Sequence, residues 1–464
     1  MDDLIDDETK PVGRMPGDLL PDGIYLHLDE SEYHAQPRLS ASGVNKLRVS
    51  EADFWVSSWL NPDKEEKTTD AMTFGRAFHT ARLEPSKFKN LFVRDLDTQD
   101  MPDGCLFNDT DVKAALKELA PKPEDHPDAL RTDTDVKAAL AECGQAKTVT
   151  GETAEDRKDR LRAASAGVLF WSDIVAEFEN ENGPISGPAG ENTLDRAYRL
   201  QAYGYTGKIW AIEKENADKE RGDRVALPAK VWDQIVSDVA EMHGTELAQK
   251  YLTGGLAEVS VLWTDDRGVR WKSRIDYLRP DIFTDAKTFV NQRGKAVREC
   301  LTDAFRYNGY FIQAQVYREA VDQIRAGNLT LIDALTDEET AIIDQIVNRP
   351  YPLLCVYLFQ QKEGVPNVMA GIVRLDTLAP GMDAASSGAD EKTIEFLAGC
   401  YSIPTQLSRK ASSEIEAAVN LFLDCDETYA PDEKWRPLEP EFEIDDDSFN
   451  PFWLDPNFND GDIK

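Results

Sequence analysis

Residues 257–289 read AEVSVLWTDDRGVRWKSRIDYLRPDIFTDAKTF, and the fold turns on how this stretch divides. Two alternating runs, Glu258–Trp263 and Val269–Leu278, flank Asp265-Asp266-Arg267-Gly268. Alternation on either side of a Gly-containing turn predicts a β-hairpin. A third apolar run, Ile282-Phe283, leads into Asp285-Ala286-Lys287, which puts Asp285 and Lys287 on one face of a strand. Carboxylates on neighbouring strands with a lysine beside them form a compact acidic pocket holding one cation. Glu258, Asp276 and Asp285 are hard oxygen donors that suit Mg²⁺, with Mn²⁺ as a substitute, and such a pocket takes one or two ions. The carbonyl of Ala286 is a further candidate ligand. That donor set suits metal-assisted phosphodiester hydrolysis, with Lys287 orienting or deprotonating water or stabilising charge on the phosphate.

The chain has 464 residues, which predicts more than one domain. Its net charge of −34 argues, taken globally, against a nucleic-acid partner. The charge is unevenly spread, however. Residues 424–464 carry 14 acidic and 3 basic side chains, whereas 258–320 carry 9 acidic and 11 basic. The candidate site therefore lies in the least acidic part of the chain. Six scattered cysteines without a CxxC pair suit reduced thiols better than a disulfide framework or a zinc site, and they lack the spacing of a four-cysteine iron–sulfur cluster. The acidic start MDDLIDDETK is unlike a signal peptide. No apolar run approaches the ~20 residues that span a bilayer, so a soluble cytoplasmic protein with no membrane partner is expected.

Along the chain, residues 1–23 read as a disordered acidic N-terminus and 24–96 as the helical opening of the main domain. Ser40 or Ser42 and then Ser50 are N-cap candidates. In AMTFGRAFHTARLEP the spacing of Phe74, Ala77, Phe78 and Ala81 predicts a helix carrying His79, with Gly75 and Ala77 allowing close packing. Residues 97–184 read as a helical insertion in which DTDVKAAL occurs twice, at Asp109–Leu116 and Asp133–Leu140. Its order resembles a SAP-type helix–loop–helix, a small DNA-binding module; a duplicated amphipathic spacer is the alternative. Residues 185–423 are assigned to the main core. There, CLTDAFRYNGYFIQAQVYREAVDQIR reads as helical, PLLCVYLFQQ and NVMAGIVRL as paired strands joined at Glu363-Gly364, and 390–400 and 412–423 as helices. Residues 424–464 form an acidic, aromatic tail unable to build a core alone.

Taken together, these blocks resemble the PD-(D/E)xK nuclease superfamily, and within it the RecE (exonuclease VIII) type of phage recombination exonuclease. EYHAQPRLSASGVNKL followed by AMTFGRAFHTARLEPSKF is similar to that family's N-terminal block and places His79 as a metal ligand. GGLAEVSVLW with VRWKSRIDYLRP places Glu258 and Asp276, and TDAKTF places Asp285 and Lys287. GYFIQAQVYREA is similar to the helix after the DxK strand in RecB-like nucleases and places Gln313 and Tyr317, one turn apart, to hold the scissile phosphate or Lys287. Family members often carry Pro where this chain has Ile275, a position that ligates nothing.

The resemblance implies an α/β fold with a restriction-endonuclease-like core: a mixed central sheet flanked by helices, with a helical insertion and an acidic tail. It implies a 5′→3′ exodeoxyribonuclease acting on double-stranded DNA ends and leaving 3′ single strands for recombination by strand annealing. A homo-oligomeric ring, a RecT-like annealing partner and a bacterial or phage-infected cell go with it. Arg274, Arg293, Lys295, Arg298 and Arg306 are candidates for phosphate-backbone contacts. The acidic tail would dock the partner, occupy the DNA channel or solubilise the protein. Two other readings stay open: a RecB-like or CRISPR-adaptation-type nuclease of other polarity or with a single-stranded substrate, and a non-catalytic module binding DNA ends or a partner.

Overall fold

The computed structural model describes residues 19–64, 69–188, 190–291, 294–347, 353–362, 367–378, 402–430, 433–438 and 441. The expected N-terminal disorder before 19, the 390–400 helix, the Glu363-Gly364 turn and the tail beyond 441 lie outside those residues. The chain divides into two compact units, one made of 1–88 with 234–464 and the other of 89–233.

The first unit is built on a six-stranded mixed sheet whose spatial order follows the chain: β1 (Gly23–Tyr25), β2 (Leu256–Thr264), β3 (Arg270–Leu278), β4 (Ile282–Phe289), β5 (Leu354–Gln361) and β6 (Val368–Val373). Neighbours are antiparallel except β4 and β5, which are parallel. The predicted hairpin is β2–β3, closed at Asp265, whose backbone N donates to Val269 O at 2.9 Å. A parallel step requires a crossover, and helices supply it between β4 and β5.

Four helices position the site. Helix α1 (Asp70–Leu83) is capped by Thr69, whose side chain accepts from Met72 N, and buries Ala77, Phe78 and Ala81. Gly75 is not a packing requirement, since a Cβ there would meet nothing within 4 Å. The segment expected as one helix after β4 is two, α2 (Val297–Tyr307) and α3 (Tyr310–Arg325). The break falls at Gly309, whose φ of 67° is the left-handed conformation glycine tolerates. The last helix, α4 (Gln406–Thr428), is longer than the 412–423 expected because Thr405 caps it early, accepting from Ser408 N.

One face of the sheet packs on α3 through a core that includes Val259, Ile275, Phe283, Ile312 and Val316. On the other face, Leu358 packs with Met242 and Ala248. The tail also departs from expectation at its start. Trp435 is fully buried and stacks among Phe54, Phe422 and Tyr429. A segment too acidic to build a core has contributed its aromatic to an existing one.

The second unit runs to 233, beyond the 184 expected, and its internal pattern explains why. Helices Asp109–Leu119 and Asp133–Glu142, the DTDVKAAL copies, each begin with a capping box. Each is followed by a second capped helix, Thr193–Ala202 for the first copy and Ala154–Ala164 for the second. The pairings correspond residue for residue. Arg196 pairs with Asp109 and Arg199 with Glu191, just as Arg157 pairs with Asp133 and Arg160 with Glu152. Bridges Leu106↔Ile209 and Leu130↔Phe170 then open the third helices, Trp210–Arg221 and Trp171–Asn182. Val112, Leu116 and Leu200 form one small core, and Val136, Leu140 and Leu161 the other. The inner copy is thus nested in the outer one, so 185–221 completes the outer module instead of belonging to the sheet. Those four arginines are committed to their own module's carboxylates.

Candidate active site

Strand register brings the predicted acids together. The pairs Ala257↔Tyr277 and Val259↔Ile275 set Glu258 opposite Asp276. Glu258 has φ 57°, and it is the non-glycine residue with positive φ among those described. Such a conformation costs a non-glycine residue roughly 1–2 kcal/mol, and strain of this kind concentrates at functional sites. Between β3 and β4 only Tyr277↔Thr284 and Leu278↔Phe283 pair before the strands part. The Asp276 side chain enters the gap, where its Oδ2 accepts from Ala286 N at 2.8 Å. A carboxylate thereby replaces a missing ladder acceptor, and Ala286 is held by its amide.

His79 arrives from α1, far away in sequence. Its Nε2 lies 3.0 Å from Asp276 Oδ2 and its Nδ1 3.3 Å from Glu258 Oε1. His79, Glu258 and Asp276 each offer a ligand atom within 4.8 Å of the others. Asp285 does not join that trio. Fully buried, it sits with Oδ2 2.7 Å from Lys287 Nζ while Oδ1 accepts from Gln313 Nε2 at 3.0 Å. Gln313 Nε2 also donates to Tyr317 OH at 2.8 Å, and Tyr317 packs edge-on against Phe283. Gln313 and Tyr317 therefore brace Asp285, not Lys287.

The charges are strongly coupled. Burial opposes protonation of His79, but Asp276 and then Glu258 outweigh it and hold its pKa at about 9, so it is an imidazolium at neutral pH. Burial likewise works against ionised Asp276, yet His79, with help from Lys287 and the Ala286 amide, keeps it at about 2. Burial raises Glu258 to about 7. Burial and the like charge of Asp276 raise Asp285 to about 6 in spite of Lys287. For Lys287, burial is overcome by Asp285 and Asp276, and its pKa rises.

These residues fit a divalent cation. Glu258 Oε1 and Asp285 Oδ2 are buried oxygens that meet only the ion-pair partners His79 and Lys287, and clustered buried carboxylate oxygens favour a hard cation. The imidazolium of His79 supplies the compensating charge in the protein alone.

The basic candidates separate. Arg274 was expected at the DNA backbone, but it is turned inward: Nε donates to Ser260 Oγ at 2.9 Å, and the guanidinium lies 4.7 Å from the Tyr33 ring. It also stands 3.8 Å from Glu258, which makes it part of the acid pocket's wall. Lys295 is tied to Asp303 at 2.8 Å and Glu299 at 3.3 Å. Arg298 and Arg306 are exposed, and Arg293 lies outside the described residues.

Arg82 escaped the sequence reading. Only 2% exposed, it leaves Nε and Nη2 without hydrogen-bond acceptors, and its guanidinium lies 4.5 Å from the Phe78 ring. Burial lowers its pKa to about 10, opposed by Asp276, Asp285 and Asp238, so it stays charged. Its place one turn beyond His79 was the available signal. Tyr310 was also missed; Lys287 Nζ lies 5.3 Å from its ring, and Tyr357 OH donates to its carbonyl.

Residues 209–344 match the family model of a PDDEXK-like domain of unknown function (DUF3799). The match spans Glu258, Asp276, Asp285, Lys287, Gln313 and Tyr317, and stops short of His79. It agrees with the observed mixed sheet and with the acids on adjacent strands. No curated protein matches the chain. A solved structure named "Putative exonuclease", from Eubacterium rectale, is similar at 14% identity and a TM-score of 0.27, over 66% of this chain and 84% of that one. A likeness that weak adds nothing to the geometric argument. Among the described residues no helix is long and apolar enough to cross a membrane.

Proposed function

We propose that this protein is a metal-dependent 5′→3′ exonuclease that digests one strand from double-stranded DNA ends and leaves 3′ single-stranded tails for strand annealing. The observation that carries the nuclease reading is the convergence of His79, Glu258 and Asp276 beside the Asp285–Lys287 pair. A binding module has no chemical need for a lysine paired to a buried aspartate next to a second acid cluster. The polarity, the duplex-end substrate, the RecT-like partner and a ring assembly rest on the resemblance of the sequence blocks to RecE-type enzymes.

Glu258, Asp276 and Asp285, with His79 once its proton is displaced and the Ala286 carbonyl, would hold Mg²⁺ or Mn²⁺. When bound, such an ion supplies Lewis-acid charge at the scissile phosphate. Lys287 Nζ donates to the attacking water or to a phosphate oxygen. Gln313 fixes the Asp285 carboxylate, and Tyr317 fixes Gln313. Arg298 and Arg306 are the backbone contacts retained from the basic candidates, so binding weakens as salt rises.

Digestion of a 5′-phosphorylated linear duplex in Mg²⁺, run beside the same DNA as a nicked circle, tests the proposal. Nucleotide release from the linear form alone, lost in Asp285→Ala and Lys287→Ala, is expected. Release of no nucleotides by the wild type, or full activity in both variants, would rule the enzyme out. Equal attack on the nicked circle would remove the requirement for an end.

A further inference from the structure

Helix α2 follows the DxK strand and ends two residues before α3 begins. Its last residue, Tyr307, is 73% exposed, while the other large exposed aromatics among the described residues, Phe107 at 44% and Tyr198 at 40%, belong to the inserted unit. The Arg306 guanidinium lies 5.3 Å from the centroid of the Tyr307 ring. The nearby acids Asp303 and Glu299 both pair with Lys295. Arg306 has no ion-pair partner among the described residues and projects a free positive charge in a chain of net charge −34. Three residues further on, the Tyr310 ring stands 5.3 Å from Lys287 Nζ. Three residues reach at most about 10 Å, so the Cα of Tyr307 lies within that distance of the Cα of Tyr310, the catalytic lysine's aromatic support.

An exposed aromatic ring beside an unpaired arginine matches the chemistry of one unpaired nucleotide, with a π-face for the base and a cation for its phosphate. Bases inside a duplex are already stacked and offer no face. We propose that Arg306 and Tyr307 form a single-strand contact at the rim of the site, Tyr307 stacking a base and Arg306 taking the adjoining phosphate. This rests on the nuclease reading for its substrate class and deepens it.

The test uses the full chain in EDTA, with anisotropy of a fluorescein-labelled oligothymidylate of ~20 nucleotides. Tyr307→Ala should weaken binding by roughly 5-fold to 150-fold, the range for losing one base–aromatic stack. Tyr307→Trp should bind like the wild type, and Arg306→Ala should reduce the slope of log Kd against log salt by about 0.7. Circular dichroism confirms that each variant is folded. Wild-type affinity in Tyr307→Ala, a tryptophan variant no better than the alanine, or an unchanged slope in Arg306→Ala would overturn the assignment. Hydrolysis of bis(p-nitrophenyl) phosphate by the wild type in Mn²⁺ is measured in parallel. Its absence, with strand binding intact, would defeat the nuclease reading and leave the stacking site standing.

Discussion

Asp276 Oδ2 accepts the amide of Ala286 at 2.8 Å and faces His79 Nε2 at 3.0 Å, so one oxygen both splints two parted strands and anchors the distant histidine. This sets the outcome at position 276. Asp276→Ala leaves a buried amide without an acceptor, a loss of about 1–3 kcal/mol. Asp276→Asn keeps an acceptor at the same place and should lose less. Both should fall at least ~100-fold in nuclease activity, as a missing charge-stabilising group does. Urea melts beside activity assays separate the two effects, and equal stability losses would show that the splint contributes nothing.

The conformation of Glu258 makes a second prediction. At φ 57°, glycine is tolerated and alanine is not. Glu258→Gly should be more stable than Glu258→Ala by roughly 1 kcal/mol, although both lack the ligand. Chemical denaturation of the two variants is sufficient, and the reverse order would mean that the strand relaxes without the carboxylate.

Metal should stabilise the fold, because a ligand that binds only the native state adds RT ln(1 + [L]/Kd). The melting temperature of the wild type should rise on replacing EDTA with Mg²⁺ or Mn²⁺. The rise should vanish in Glu258→Ala and Asp285→Ala. A rise retained in Asp285→Ala would mean that the ion is held by His79, Glu258 and Asp276 without it.

Glu319 sets a pH dependence away from the site. Burial raises its pKa from the ordinary 4.5 to about 7 in the folded protein, against a hydrogen bond from Gln315. Between those values the native state binds more protons than the unfolded one, so stability falls as pH rises from about 4.5 to about 7. Glu319→Gln should flatten that part of the profile and add ~1–3 kcal/mol at pH 7.5. Denaturant midpoints across the range decide it; parallel profiles for the two proteins would refute the assignment.

The nested insertion predicts a clean excision. Gly144 follows Cys143 in the inner copy, and Gly183 holds the equivalent place for the outer one. Deleting residues 120–182, which joins Leu119 to Gly183, should leave a soluble protein that melts cooperatively. Aggregation of this deletion, with a folded wild type prepared in parallel, would show that the copies are not independent modules.

Much of the core was legible in the chain. Period-2 alternation, the Asp265–Gly268 turn and the DAK run located β2, β3 and β4, because strand pattern and hairpin turn are local properties. They also put Glu258, Asp276, Asp285 and Lys287 on adjacent strands. Less was legible where the outcome depended on direction or on distant partners. Arg274 counted as a surface cation until Ser260, Tyr33 and Glu258 proved to surround it. The second unit's boundary was misplaced because the outer module's halves lie on either side of the inner one.

By itself, then, the sequence determined the acids, their order and the strands that bear them, since backbone periodicity dictates which side chains share a face. Only the tertiary structure decided that His79 closes on Glu258 and Asp276 while Asp285 is given to Lys287 and Gln313. That division depends on how far β3 and β4 part and on where α1 and α3 pack. Such distances are set by side-chain packing between segments remote in sequence, and no local pattern records them.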